Sequence, residues 1–135
     1  MPTRRELIAE FVPASPLVAH LGIELIGAGD DHAVLELPFD PHLATAGDVV
    51  HGGAIASLID TAGMAAAWSD EVRPETLAGA TVSMNVDYLA PAVATDLRAT
   101  ARVLRRGRSL CFCEAEVTDE SGDPIARGSV IHRYA

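Results

Sequence analysis

The chain has 135 residues, is 49% apolar and carries a formal net charge of −9. That size and composition suit one globular domain, spanning residues 1–135, rather than a disordered chain. The acidic balance argues against a nucleic-acid partner, whose affinity rests on Lys and Arg neutralising phosphates, but leaves room for a small phosphate-bearing ligand held by a few local arginines. No apolar run of signal-peptide or membrane-span length is present, so the expectation is a cytoplasmic protein with no membrane partner.

In chain order, residues 4–12 read as a short amphipathic helix with Leu7, Ile8 and Phe11 on one side and Pro13 at its end. Ser15-Pro16 starts a second helical turn through residue 20. After Gly22, residues 23–27 and 32–37 read as two strands joined by the turn Gly29-Asp30-Asp31. Residues 38–48 read as a loop, and 53–68 as the only long helix. Residues 69–76 are polar and contain Pro74, which predicts a loop. Four further strands are expected at 80–89, 96–104, 110–118 and 125–134, with turns at 105–108 and 119–123. One helix and about six strands predict an α+β fold, an antiparallel sheet able to curl around the helix.

The two cysteines, Cys111 and Cys113, fall two apart in a strand. They share a face, are poorly placed to bridge, and are too few for a zinc site. They read as small core side chains. His20, His32, His42 and His132 are scattered and suggest no metal constellation. Glu114, Glu116, Asp119 and Glu120 read as a solvated face.

The long helix carries one charge, Asp60, among small and apolar residues. Ile55, Leu58, Ile59, Ala62 and Ala66 make a face for the sheet. Gly53, Ala56, Ser57, Asp60, Met64 and Ala67 make a second face with none of the Lys and Glu expected against water. One sheet cannot cover both. A second copy of the chain in a two-fold dimer would cover the Asp60 face, as would the N-terminal helix or the 38–48 loop.

Gly52 and Gly53 open that helix, where the first N–H groups lack intrahelical acceptors and the dipole is positive. This suits an oxyanion, although two glycines also simply make a turn. Asp60 lies eight residues beyond Gly52, about 12 Å along the axis. A carboxylate and an oxyanion donor acting on one carbon must both lie within roughly 3 Å of it. If these two act together, they come from different chains. By spacing alone, Asp60 is as readily a buried structural carboxylate as a functional one.

His51-Gly52-Gly53 with Asp60 nine positions after the His, followed by Thr81-Val82-Ser83-Met84-Asn85-Val86-Asp87-Tyr88-Leu89-Ala90-Pro91, resembles the phenylacetate-type (PaaI-like) hotdog-fold acyl-CoA thioesterases. The resemblance runs from about Gly22 to the C-terminus and includes Val103-Leu104-Arg105-Arg106-Gly107-Arg108-Ser109-Leu110 and the last hairpin, residues 122–128. It implies a sheet wrapped round the central helix, assembly into homodimers and often dimers of dimers (a homotetramer), and acyl-CoA hydrolysis at the dimer interface. It implies that Asp60 is nucleophile or general base, that Gly52 polarises the thioester carbonyl through its N–H, and that Thr81 helps hold the attacking water. It implies substrate contacts from His51 and Gly53, from Tyr88, Leu89 and Pro91, and from the turn Arg105, Arg106, Gly107, Arg108 and Ser109. The arginines would meet CoA phosphates or else form a solvated basic turn. No cofactor beyond the substrate's own CoA and no metal is implied, since a carboxylate and an oxyanion donor suffice for acyl transfer. Thr45 and Asp48 stand where the family often has Asn and Gly, which bears on the substrate more than on the reaction class. The expected activity is hydrolysis of a small or an aryl or medium-chain acyl-CoA. The alternatives are an acyl-CoA-binding protein without turnover and a hydratase of the same fold, whose paired Asp and His motif is not found.

Overall fold

The computed structural model describes Met1–Tyr134. The first helix, α1 (Arg4–Ala14), starts in a capping box. The Thr3 hydroxyl accepts from the Glu6 N–H at 3.2 Å and the Glu6 carboxylate accepts from the Thr3 N–H at 2.9 Å, so two orphan donors are satisfied at once. Pro13 falls inside its last turn. The apolar face expected of Leu7, Ile8 and Phe11 is divided. Ile8 and Val12 enter the core, while Phe11 is left 54% exposed. Helix α2 (Pro16–Leu21) has Pro at its first position and ends on Gly22 in a left-handed conformation.

Six strands form one antiparallel sheet. They are β1 (Glu24–Gly29), β2 (His32–Leu37), β5 (Gly79–Tyr88), β6 (Leu97–Arg106), β7 (Leu110–Thr118) and β8 (Pro124–Tyr134). The spatial order is β1-β2-β6-β7-β8-β5, with β1 and β5 as edges. The segment 38–48, expected to be a loop, instead contains a 3-10 turn (Pro41–Leu43) and the strand β3 (Ala44–Ala46), which pairs with β4 (Val49–Val50). Of the register shifts in the sheet, two bear on the site. Between Thr81 and Ser83 the extra residue is Val82; between Val103 and Arg105 it is Leu104. Each bulge exchanges which side chains face the helix beyond it.

Helix α3 (Gly52–Ala67) lies across the concave face, packed on β2, β6, β7 and β8. Leu58, Ile59, Ala62, Ala65 and Ala66 are wholly buried. Truncating Leu58 or Ile59 to Ala would cost about 2–5 kcal/mol in lost transfer energy and cavity. At Gly63 an added Cβ would come within 2.6 Å of the Val130 Cβ, so this helix can sit on β8 only with no side chain there. Of the second face, Ala56, Ser57, Asp60 and Met64 are half-buried and Gly53 exposed. Ala67 is buried within the chain, contrary to the helical-wheel expectation. The two thiols are buried and free, with their sulfurs 3.8 Å apart on one strand face. Among the described residues no helix is long and apolar enough to cross a membrane.

An ion-pair cluster ties the C-terminal end of α3 to both termini of the fold. Arg106 reaches inward, donating to the Ala67 carbonyl at 2.6 Å and to the Tyr134 hydroxyl, and pairing with Asp31 at 2.7 Å and Asp70 at 3.1 Å. Arg4 also holds Asp70, at 2.9 Å, and lies 3.7 Å over the Tyr134 ring.

Candidate active site

The Thr81 hydroxyl donates to the Asp60 Oδ1 at 2.6 Å. Asp60 projects from the middle of α3 and Thr81 from β5, both half-buried. The bond fixes one carboxylate oxygen and leaves the Thr81 lone pairs free to accept from a water. The helix sequence supplies no other charge to compete for this position.

The opposite end of α3 holds the second group. His51 is the N-cap, and its Nδ1 accepts from the Gly53 N–H at 2.7 Å. His51 therefore closes one of the free donors, and Gly53 is consumed in the cap. The Gly52 N–H finds no acceptor among the described residues. On its other side, the Tyr88 hydroxyl donates to the Gly52 carbonyl at 2.7 Å. Tyr88 thus positions the Gly52 peptide. Both β5 contacts depend on the bulge at Val82. Thr81 and Tyr88 are seven residues apart and would face opposite sides of a regular strand; with one residue inserted, both reach α3.

Helix α3 is unbroken from Gly52 to Ala67, so the Gly52 N–H and Asp60 stay about 12 Å apart along the axis within one protomer. The sheet separates the other candidates in the same way. Thr81 pairs with His132, which pairs with Cys111, which pairs with Arg106, in one row. Tyr88 lies in a different row, with Ala126, Val117 and Ala99. Those rows are six residues apart on β8, about 20 Å. Asp60, Thr81 and the basic turn therefore mark one end of the sheet, and Gly52, Tyr88, Leu89 and Pro91 the other.

At the basic turn, Arg105, Gly107, Arg108 and Ser109 line one open concavity with Leu110 and Phe112. Arg106, expected to join them as a phosphate ligand, does not, since its guanidinium is taken up by Asp31, Asp70, Tyr134 and Ala67. The cause is the Leu104 bulge, which keeps β6 going to Arg106 and turns that residue, rather than Arg105, toward the core. Leu89 and Pro91 are exposed beyond the end of β5. Thr45 and Asp48 are exposed on the β3–β4 hairpin. Asp48 needs no glycine, because the left-handed residue of that turn is Gly47, with φ 56°.

Residues 47–126 match the family model described as the thioesterase superfamily. The chain belongs to the thioesterase superfamily. Among its relatives, the human acyl-coenzyme A thioesterase 13 is 31% identical, the match covering 92% of this chain and 89% of that protein. The Escherichia coli medium/long-chain acyl-CoA thioesterase YigI is 30% identical over 94% of this chain and 91% of its own. The solved structure of the E. coli PaaI protein superposes with a TM-score of 0.78 over 96% of this chain and 92% of that one, at 23% identity, a likeness of fold. The fold is the hotdog of that superfamily, a long antiparallel sheet around a central helix.

This thioesterase-superfamily chain also places His132 opposite Thr81, near the Asp60 charge, with Trp68 bonded to it, two residues that the sequence did not single out. The Trp68 Nε1–H donates to the His132 Nε2 at 2.8 Å. That bond assigns the ring proton of the neutral imidazole to Nδ1, which is buried and has no partner. Burial holds the His132 pKa below its ordinary value, and the Asp60 charge only partly opposes this, so the ring is neutral at pH 7. No signal in the sequence marked this pair, because the register that sets His132 opposite Thr81 belongs to the pairing of β5 with β8. Among the described residues, no group of three or more His, Cys, Asp or Glu is arranged to hold a metal ion.

Proposed function

We propose that the protein hydrolyses the thioester bond of an acyl-CoA at a site shared between two copies in a two-fold homodimer. The observation that carries this is the pairing of an Asp60–Thr81 hydrogen bond at one end of the molecule with an unoccupied Gly52 N–H at the other. The edge strand β5 supports the dimer. Val82 is 48% and Met84 37% exposed on it, and its outer backbone groups face no strand. Antiparallel pairing of two such edges about Met84 and Asn85 sets Thr81 of one copy opposite Tyr88 of the other. The Asp60 end of one protomer then meets the Gly52 end of its partner.

In this reaction Asp60 acts on the carbonyl carbon either directly or through a water held by Thr81. By the water route, Asp60 takes a proton as the oxygen adds to the carbon. The Gly52 N–H of the partner stabilises the oxyanion. Collapse breaks the carbon–sulfur bond, and the CoA thiolate recovers the proton from Asp60. Arg105 and Arg108 are placed to hold CoA phosphates, and Tyr88, Leu89 and Pro91 border the CoA path on the partner's side.

The test is complementation. Asp60→Asn removes the carboxylate. Gly52→Pro removes the N–H: proline suits the first helical position, His51 already has an extended ψ of 134°, and the added Cβ, 3.3 Å from the Tyr88 ring, requires that side chain to shift by a few tenths of an ångström. Each variant alone is inactive in a thiol-release assay. Mixed and re-associated, half of the dimers are heterodimers with one intact site, restoring about a quarter of the parent activity. If the mixture stays as inactive as its components while exchange is shown by mass spectrometry, the shared site is wrong.

A further inference from the structure

We propose that His132 is a further residue of the site: its Nδ1–H holds the attacking water against Thr81 and Asp60, and Trp68 fixes which ring nitrogen carries that hydrogen. This rests on the hydrolysis proposed above, by its water route. Trp68 Nε1–H donates to His132 Nε2 at 2.8 Å. A nitrogen that accepts carries no hydrogen, so the ring is neutral and its one N–H is at Nδ1. Burial of the ring works in the same direction. His132 is only 3% exposed, and Nδ1 has no partner among the described residues. The other buried side-chain atoms without partners are Arg4 Nε and Arg5 Nε, whose guanidinium ends are ion-paired. A ring kept only to accept from Trp68 would leave its own donor desolvated for nothing, and native interiors leave few donors so.

The sheet aims this donor at the reacting pair. His132 on β8 is the direct partner of Thr81 on β5. Such opposed residues have Cβ atoms about 4.5–5.5 Å apart. Nδ1 is bonded to Cγ and cannot stray far from its own Cβ, whichever way the ring turns. Nδ1 and the Thr81 oxygen therefore fall within the span of one water making two hydrogen bonds of about 2.8 Å each. The Thr81 hydroxyl already gives its hydrogen to Asp60 and can only accept from that water. The ring also feels the Asp60 charge. A cavity of about 280 Å³, bounded by α1, α3, β5 and β8 and lined by Met64, Trp68, Gly79 and His132, leaves ample room for water beside the ring. Gly79 keeps that room open, since a Cβ there would lie 3.0 Å from His132 Nε2. The water then has three polar partners. Its hydrogens point to Asp60 and to the Thr81 oxygen, and one lone pair accepts from His132. The other lone pair adds to the thioester carbon as Asp60 takes the first proton.

The experiment compares His132→Asn with His132→Gln. The Asn amide reaches the place of Nδ1, restoring a donor beside Thr81, but falls short of Trp68. The Gln amide reaches the place of Nε2, accepts from Trp68 and leaves no donor beside Thr81. In thiol release at saturating acyl-CoA, His132→Gln lowers kcat about tenfold with KM unchanged, and His132→Asn stays within about threefold of the parent. Melting temperatures run the other way, with the Gln variant near the parent and the Asn variant lower. A purely structural histidine would lose rate and stability together. In a high-resolution crystal structure of the parent, a water lies within about 3.2 Å of His132 Nδ1, Thr81 Oγ1 and an Asp60 oxygen. A folded Gln variant with the parent kcat, or an Asn variant as slow as the Gln variant, would overturn the role of His132. So would an active parent without that water. A parent that holds the water and releases no thiol would overturn the hydrolase reading and keep the water site.

Discussion

Thr81→Val is a near-isosteric change that deletes one hydroxyl. In the parent that hydroxyl donates to a carboxylate at 2.6 Å, from a half-buried position. Hydrogen bonds to charged groups contribute about 1.5–3 kcal/mol. If this one holds Asp60 and the water during the reaction, its whole value enters the barrier, and kcat falls roughly 10- to 100-fold. KM changes little, because the bond is internal to the protein and is made whether or not substrate is present. Thr81→Ser restores a donor at the same place and returns most of the rate. The assay is thiol release at saturating acyl-CoA, with circular dichroism showing that each variant folds as the parent does. A folded Thr81→Val protein with the parent kcat would refute the role of the Asp60–Thr81 pair. So would a Ser variant as slow as the Val variant, since the hydroxyl could not then be what matters.

Three further outcomes follow from the arginines and the buried histidine. Removing Arg105 and Arg108 together raises KM for an acyl-CoA about tenfold and leaves KM for the acyl-pantetheine thioester, which lacks the nucleotide phosphates, unchanged. Arg106→Met instead lowers stability by about 2 kcal/mol, because the Ala67 carbonyl and the Tyr134 hydroxyl lose a charged donor while Asp70 keeps Arg4; equal KM effects from all three arginines would contradict the inward placement of Arg106. His132 has its pKa lowered from 6.5 by burial. Above that unfolded value neither state is protonated and stability is unaffected. As pH falls below it, the unfolded chain takes a proton that the fold resists, so stability is lost down to the folded pKa. Thermal melts from pH 7 to pH 5 should therefore fall more steeply for the parent than for His132→Gln, and parallel slopes would show that His132 is not the buried titrating group.

Much of the fold was legible because hydrophobic periodicity is a local property. Residues 110–118 alternate so regularly that both ends of β7 match the expectation. The uncharged run around Asp60 marked the one long helix, and its length forced the Gly52 and Asp60 groups apart. The hairpin β3–β4 was not legible. Its strands are three and two residues long, too short for any period to show. The cavity was not legible either, because it is bounded by residues from four separate elements that meet only through the sheet order.

The sequence by itself determined the helix, the lone carboxylate on it, the N-terminal glycines and the family motif, all of which are properties of consecutive residues. Only the tertiary structure decided which side chains reach that helix. One extra residue at Val82 brings Thr81 to Asp60 and Tyr88 to Gly52 from the same strand, where strict alternation would have lost one of them. Another at Leu104 turns Arg106 into the core and leaves Arg105 outside. A bulge arises from the mismatch between two strands far apart in sequence, and a one-residue slip exchanges the faces of everything beyond it. The pairing partner, not the strand's own pattern, therefore chose the residues of the candidate site.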